Sequence, residues 1–342
     1  MQQSSLYFTS ERSVEVRQNT LPGLQRNEIL VETRFSAISP GTEMLIYRGE
    51  APQYMQADSE IHALRGGLTY PLKYGYAAVG EVVKLGKGVD KHWLGCAVFA
   101  FNPHESHFIA NTNTVQIIPQ EVELQAAVFL PNVETSVNFV MDGDPRMAEQ
   151  VVVLGQGIVG LLTTALLAHH PLANLLTFDR HEIRRNASLE LGAHESFAPQ
   201  STGDLELAKK NLAKDPIYPH ADLIYELSGN PHALDLALEL AGFDSRVIIG
   251  SWYGEKRAHM DLGGRFHRNR IKLISSQVST LNPILQGRWN KERRFNASWE
   301  MLSRIKPTRF ITHQFPIEEA AQAYQLLDNN PQDVIQVIFD YA

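Results

Sequence analysis

The sequence predicts an α/β chain in which a strand-rich portion is joined to a doubly wound parallel sheet, and three observations lead there. Residues 151–154 form the apolar run Val-Val-Val-Leu, which enters a turn spaced by Gly155, Gly157 and Gly160 and continues into Leu161, Leu162, Ala165 and Leu166. That order reads as strand, tight turn and helix start. From about Leu124 helical patterns alternate with short strands at 151–154, 175–178, 222–226 and 246–250, as crossover helices between parallel strands require. The first 120 residues instead carry short alternating or β-branched runs punctuated by Gly and Pro, the pattern of a strand-rich domain.

In chain order, the N-terminal strands are Glu28 to Phe35, Ala78 to Leu85, Ala97 to Phe101 and Val115 to Ile118. Cys96 sits in a turn entering a buried strand and reads as a core thiol. As the only cysteine it excludes an intrachain disulfide and a thiolate zinc cluster. Residues 232–241 have helical apolar periodicity between the last two parallel strands. Beyond residue 280 the chain turns basic and polar, from Arg288 to Arg294, and ends in a helix, Ile317 to Asp328, and a strand, Val334 to Phe339. The expected division is residues 1–130 with 280–342 as one domain and 131–279 as the other.

At 342 residues and 44% hydrophobic content the chain can bury a large core in two domains. A net charge of −7, with no concentrated Lys/Arg window, argues against a nucleic-acid partner. The start, Met-Gln-Gln-Ser-Ser-Leu-Tyr-Phe, lacks a basic region and a long apolar core, and no apolar run approaches the ~18 residues of a membrane span. The expectation is a cytoplasmic protein that does not enter a membrane and acts on a small molecule.

The glycine spacing lets backbone amides and a helix N-terminus meet a pyrophosphate, which makes Gly155, Gln156, Gly157, Ile158, Val159 and Gly160 a candidate dinucleotide turn of Rossmann type. Asp179 ends the second strand 24 positions after Gly155, near the roughly 20 expected for a ribose-binding acid. A carboxylate there accepts both ribose hydroxyls and repels a 2′-phosphate, so NAD is favoured over NADP. Arg180, Arg184 and Arg185 keep NADP open, since guanidinium groups can hold that phosphate; otherwise they are a solvated helix face. Ser228 and Gly229, and Ser251 and Trp252, follow the strands at 222–226 and 246–250. Ligands bind at such carboxyl ends, so these residues are expected to line the cofactor cleft.

The layout and several segments resemble the medium-chain dehydrogenase/reductase superfamily, the relatives of zinc alcohol dehydrogenase, over nearly the whole chain. The matching pieces are Ser36-Ala-Ile-Ser-Pro-Gly-Thr-Glu43, Gly75-Tyr-Ala-Ala-Val-Gly-Glu-Val-Val83 with Gly86-Lys-Gly-Val89, the glycine turn, and Leu189-Glu-Leu-Gly-Ala193. Within it, Ser-Pro-Gly-Thr-Glu, Tyr74-Gly75-Tyr76, Asn102-Pro-His-Glu-Ser-His107 and the stretch from Phe266 to Val278 are most similar to the branch holding bacteriochlorophyllide-type hydroxyethyl dehydrogenases. The resemblance implies a GroES-like strand-rich catalytic domain, a Rossmann domain, an NAD(P)-dependent oxidoreductase, and a homodimer formed through the edge strand near Arg270 to Ile274.

Zinc members of the superfamily hold their metal with a cysteine, a histidine and a second cysteine or acid. The matching positions here carry Ser39 or Pro40, Tyr76, and Pro131 to Asn132, so no zinc is expected. The alternative is a rebuilt site of His104, His107 or His62 with Glu43. Without a metal, a proton or hydrogen-bond donor must stabilise charge on the reacting oxygen. Tyr76 is the first candidate, unless it only fills the space of the missing site. Thr42 matches the family hydroxyl that touches the substrate oxygen, and Ser39 lies beside it. His104 is a candidate proton relay to solvent, whereas His107 reads as surface. Thr135 matches the helix-start residue that contacts the nicotinamide carboxamide in relatives, or is a simple cap. Reduction of a quinone or activated C=C bond, or dinucleotide binding without catalysis, are the competing functions.

Overall fold

The computed structural model describes residues 1–57 and 61–341, without the side chain of His62. Strands β1 (Gln2–Ser10), β2 (Ser13–Thr20) and β3 (Glu28–Ala37) lead into helix α1 (Pro40–Tyr47). Then come β4 (Ala78–Leu85), β5 (Ala97–Ala100), β6 (His107–Asn111) and β7 (Val115–Ile117), followed by α2 (Leu124–Ala127) and α3 (Leu130–Gly143). The alternating part is β8 (Gln150–Leu154), α4 (Ile158–Leu167), β9 (Asn174–Phe178), α5 (Glu182–Glu190), β10 (Glu195–Phe197), α6 (Thr202–Leu212), β11 (Ala221–Glu226), α7 (Ala233–Leu240), β12 (Ala241–Ile249) and β13 (Lys272–Ser275). The chain closes with α8 (Lys291–Ile305), β14 (Ile311–Pro316), α9 (Ala320–Asn329) and β15 (Gln336–Asp340). Contacts group Met1–Pro131 with Leu302–Ala342 in a first unit and Asn132–Met301 in a second.

The second unit contains a six-stranded sheet in the order β10-β9-β8-β11-β12-β13, all of it parallel. Counted within the unit this is 3-2-1-4-5-6, the doubly wound order, with its switch point between β8 and β11. Val151, Val152 and Val153 are fully buried because helices cover both faces of such a sheet. Val152 packs with Leu176 and Phe178, and Val151 and Val153 with Leu175 and Ile248 on the other side. Each such side chain contributes ~1.5–3 kcal/mol by leaving water.

In the first unit a seven-stranded sheet has the order β14-β15-β3-β4-β5-β7, with β6 added on β3, and β1 pairs with β2 as a separate hairpin. The final strand lies antiparallel to β3, with Phe339 opposite Ser36. That pairing brings the chain's end to the segment that enters α1. Ile29, Val31, Val82, Val98 and Phe108 form the core of the sheet. Cys96 is only half-buried at the rim of that cluster, its thiol donating to the His92 carbonyl at 3.0 Å, so the expected core thiol is a turn residue.

Helix α8 was not evident from the sequence. Its inward positions include Arg294, Ser298, Leu302 and Ile305, all buried, and an arginine and a serine in the stripe disguise its apolar period. Arg294 is fully buried: Nη2 and Nε reach Glu134 Oε1 at 2.7 and 3.0 Å, and the guanidinium also donates to the Val278 and Thr280 carbonyls. Residues 280–301, expected with the first domain, therefore group with the second unit. Burial pushes the Glu134 carboxyl above its usual range, and Arg294 opposes that rise.

Candidate active site

Two constellations carry the predicted chemistry, one in each unit. In the second unit the turn after β8 contains three glycines that are there for different reasons. Gly155 has φ +92, and a Cβ on it would lie 2.6 Å from Ser228 Cα, at the switch point beside the end of β11. A Cβ on Gly160 would lie 2.0 Å from the Gly155 carbonyl oxygen. Packing alone dictates both. Gly157, the residue capping α4, has φ −64 and nothing within 4 Å of a Cβ position. No protein atom requires a glycine there, yet its bare backbone leaves the leading N–H groups of α4 open to an approaching anion.

Gln156 is a strut of this turn and not a contact residue. It is fully buried, its N–H donates to Asp179 Oδ2 at 2.7 Å, its Nε2 donates to the Gly155 carbonyl, and Thr164 donates to its Oε1. Ile158 is buried and offers a ligand only backbone, whereas Val159 packs on the core with part of its side chain exposed. Asp179 accepts the Gln156 N–H and, at 2.8 Å, the His181 N–H, and both oxygens keep further acceptor capacity. Arg184 Nη1 is 4.0 Å from Asp179, and burial pulls its guanidinium below the usual range while Asp179 opposes this. Arg180 is exposed, and Arg185 donates to the carbonyls of Asp179 and Arg180.

Ser228, Gly229 and Ser251 are gathered by Glu226, a fully buried carboxylate at the end of β11 that sequence reasoning missed. Its Oε1 accepts the Ser228 N–H at 2.9 Å, Gly229 N–H donates to Ser251 Oγ at 2.9 Å, and Tyr253 donates its hydroxyl to Glu226 Oε2. Burial, with Glu226 beside it, pushes the Tyr253 phenol well above its ordinary value. Trp252 is half-buried beside this group. Thr135 does not start a helix: α3 begins at Leu130, which places Thr135 in its second turn and removes the capping reading. A polar recess of about 500 Å³, lined by Gln150, Asn174, Glu195 and Asn211 among others, lies at the amino ends of these strands, away from the turn.

In the first unit three predicted residues share one hydrogen-bonded cluster. The Tyr76 hydroxyl bonds Ser39 Oγ, and it lies 3.3 Å from Thr42 Oγ1. Ser39 caps α1, Thr42 is in its first turn, and Tyr76 follows Gly75, whose φ of +113 suits only glycine. Tyr76 and Thr42 are half-buried. His104 lies against Gly75 but shares no hydrogen bond with Ser39, Thr42 or Tyr76. It is fully buried, with Nε2 3.0 Å from Glu43 Oε2 and Nδ1 2.7 Å from Ser36 Oγ. Both ring nitrogens are thus committed inside the protein, and the expected relay to solvent has no exposed atom. His107 is half-buried, not surface, and burial holds its imidazole below the usual value.

Glu43 is also fully buried; its Oε1 accepts the Ser39 N–H at 2.7 Å and its Oε2 accepts the Tyr324 hydroxyl. Ser36, His104 and Glu43 mimic a nucleophilic triad by distance, but Ser36 is 0% exposed and shares its Oγ with the Tyr341 hydroxyl at 2.8 Å. A nucleophile needs an accessible oxygen, so the series is a buried network and not a hydrolase site.

Among the described residues, those at the expected positions do not form a zinc ligand set. Among the described residues no three His, Cys, Asp or Glu side chains converge as a metal site. The positions that match the family ligands present the hydroxyls of Ser39 and Tyr76 and, at the third, Pro131 and the Asn132 amide, whereas zinc takes imidazole, thiolate or carboxylate. His104 and Glu43 are only two groups, both hydrogen-bonded elsewhere, and the side chain of His62 lies outside the described residues. Among the described residues no helix is long and apolar enough to cross a membrane.

No protein-family model matches the chain. It is 24% identical over 327 residues to the D-guloside 3-dehydrogenase of Escherichia coli (strain K12), covering 91% of this chain and 92% of the relative. To the L-threonine 3-dehydrogenase of Bacillus licheniformis it is 23% identical over 345 residues, covering 90% of each. Its fold matches that of an alcohol dehydrogenase from E. coli CFT073 solved with the cofactor NADH, with TM-score 0.78, 18% identity and 99% of each chain covered. Over about nine-tenths of its length the chain is thus similar to named dehydrogenases, and it has the fold of an alcohol dehydrogenase that was solved with NADH.

Proposed function

We propose that this protein interconverts a secondary alcohol and its ketone with a nicotinamide dinucleotide and without a catalytic zinc. The observation that carries the reading is the half-buried Tyr76 phenol held by the Ser39 and Thr42 hydroxyls, where zinc relatives place metal ligands. When bound, the dinucleotide supplies or accepts the hydride. The glycine turn, with Gly157 open, and the Asp179 carboxylate would hold it, and Asp179 favours NAD over NADP. In the reductive direction Tyr76 gives its hydroxyl proton to the substrate oxygen as negative charge develops there. Ser39 and Thr42 then donate hydrogen bonds to the phenolate, which takes its replacement proton from solvent at this half-buried site; oxidation runs the same transfers backwards. The curated relatives are named for a guloside and for L-threonine, both oxidised at a secondary alcohol flanked by polar groups, so a polar secondary alcohol is the favoured substrate class.

We also read the protein as a cytoplasmic homodimer, since β13 lies at one end of the parallel sheet and offers an edge for pairing. Isothermal titration with NADH and NADPH, with metal analysis of the untreated protein, tests the cofactor and the absence of zinc together. Turnover is then sought on a panel of alditols, glycosides, L-threonine and 2,3-butanediol, with quinones and enones as the competing arm. Stoichiometric zinc ends the metal-free reading. Turnover of only quinones or enones moves the chemistry to C=C or quinone reduction, and NADH binding without turnover of any class favours a non-catalytic protein.

A further inference from the structure

The geometry points to Glu43 as a positioning residue for the hydroxyl cluster, an inference that rests on reading Tyr76 as the proton donor. A buried carboxylate is costly unless hydrogen bonds replace its water, and the donors that replace it here come from the cap of its own helix and from two distant segments. They are the Ser39 N–H at the start of α1, His104 Nε2 ahead of β6, and the Tyr324 hydroxyl in α9. Two of these are the walls of the Tyr76 site. Ser39 carries the Oγ that bonds the phenol. The His104 ring lies against Gly75, the residue before Tyr76, so closely that a Cβ there would sit 2.7 Å from Nε2. Glu43 therefore sets the spacing between the first turn of α1 and the Gly75-Tyr76 peptide, the two parts that must be in register for Tyr76 to reach Ser39 and Thr42.

The chemistry of the network explains why the residue is an acid. A carboxylate only accepts, so it satisfies all three donors, whereas an amide must turn its NH₂ toward one of them. With Glu43 accepting, His104 carries its proton on Nε2; Nδ1 then accepts from Ser36, and Ser36 accepts from Tyr341. The far end of the network is anchored on β3 and beyond β15, which fixes the histidine ring in one orientation.

The test uses full-length protein carrying ζ-¹³C tyrosine, in which the Tyr76 resonance is identified by its loss in Tyr76→Phe. In Glu43→Gln that resonance should move well beyond the spread of the other tyrosines that do not touch Glu43, with NADH affinity unchanged. On the alcohol found in the panel kcat should fall about tenfold or more with KM little altered, because the fault is one of alignment. Tyr324→Phe, which removes a single donor, should move the same resonance in the same direction by less, and it decides the matter if Glu43→Gln does not fold. An unmoved Tyr76 resonance in the folded variants overturns the inference. Full turnover by Tyr76→Phe instead overturns the proton-donor reading, and the resonance still reports whether Glu43 positions Tyr76.

Discussion

The glycine turn of the second unit and the hydroxyl cluster of the first are built in opposite ways. The turn is made of backbone, and what shapes it lies between Gly155 and Asp179 apart from the neighbouring Leu227-Ser228 peptide. The cluster is made of side chains held by groups as far apart in sequence as Glu43 and Tyr324, or Ser36 and Tyr341. A backbone site tolerates changes of side chain and fails when a Cβ is added; a side-chain site tolerates backbone-neutral changes and fails when one hydroxyl is lost. That contrast can be broken experimentally.

The largest effect should come from Gly160→Ala, because its Cβ would lie 2.0 Å from a backbone oxygen that cannot give way. A loss of at least ~4 kcal/mol, or failure to fold, is expected in thermal and denaturant unfolding. Gly157→Ala is the paired control, since nothing lies within 4 Å of the added methyl. It should keep the wild-type Tm and yet bind NADH roughly tenfold more weakly, about 1.4 kcal/mol. Wild-type affinity in Gly157→Ala would mean that the turn does not receive the dinucleotide.

Next in size is Tyr76→Phe. Removing the hydroxyl should cut kcat about 10²-fold or more, the range for loss of a general acid, while Tm and NADH affinity stay put because the ring still packs edge-on against Tyr74. A change in Tm without a change in kcat would assign Tyr76 to packing alone.

These two sites also show what a sequence discloses. The turn was legible because its signal is local: strand, glycine spacing and Asp179 fall in one short window, and the parallel strands flanking it were legible from their continuous burial. Tyr76, Ser39 and Thr42 could be named from segments matching a superfamily, but their mutual contact could not. Tyr324 and Glu226 stayed hidden, and Glu43 surfaced only as a partner of His104 in an alternative metal site, because nothing in a linear pattern says that an acid at residue 43 meets a tyrosine 281 positions away. His104 looked like a loop histidine for the same reason, since β15 and β3 pair over it only in the folded chain. Helix α8 was obscured by Arg294, a charge that belongs in the core once Glu134 is opposite.

A smaller effect is expected at Asp179. Asp179→Ser should move the NADH to NADPH affinity ratio toward NADPH by about tenfold, as the repelled 2′-phosphate becomes tolerated, with Arg184 nearby to meet it. Some stability should also go, since the carboxylate accepts the Gln156 and His181 N–H groups. An unchanged ratio would place cofactor selection elsewhere and weaken the distinction between a backbone turn for phosphate and a side chain for ribose.

The smallest effect concerns acid, and it too divides the units. Burial is the leading cause holding His107 in the first unit, and His170, His181 and His220 in the second, below the ordinary histidine value of 6.5. A base with a depressed pKa binds its proton less readily folded than unfolded, so the unfolded chain takes up more protons as the pH drops below 6.5. The stability these rings contribute is therefore complete above that value and is lost as pH falls through their folded values. With three of the four rings in the second unit, amide protection factors there, which correct for the intrinsic slowing of exchange in acid, should fall more between pH 7 and pH 5.5 than in the first, and NADH should restore them by mass action. His181 flanks Asp179, so His181→Gln should remove part of this acid sensitivity while leaving protection in the first unit unchanged. An equal fall in protection in both units would show that the loss of stability comes from carboxylates shared across the chain and not from these half-buried imidazoles.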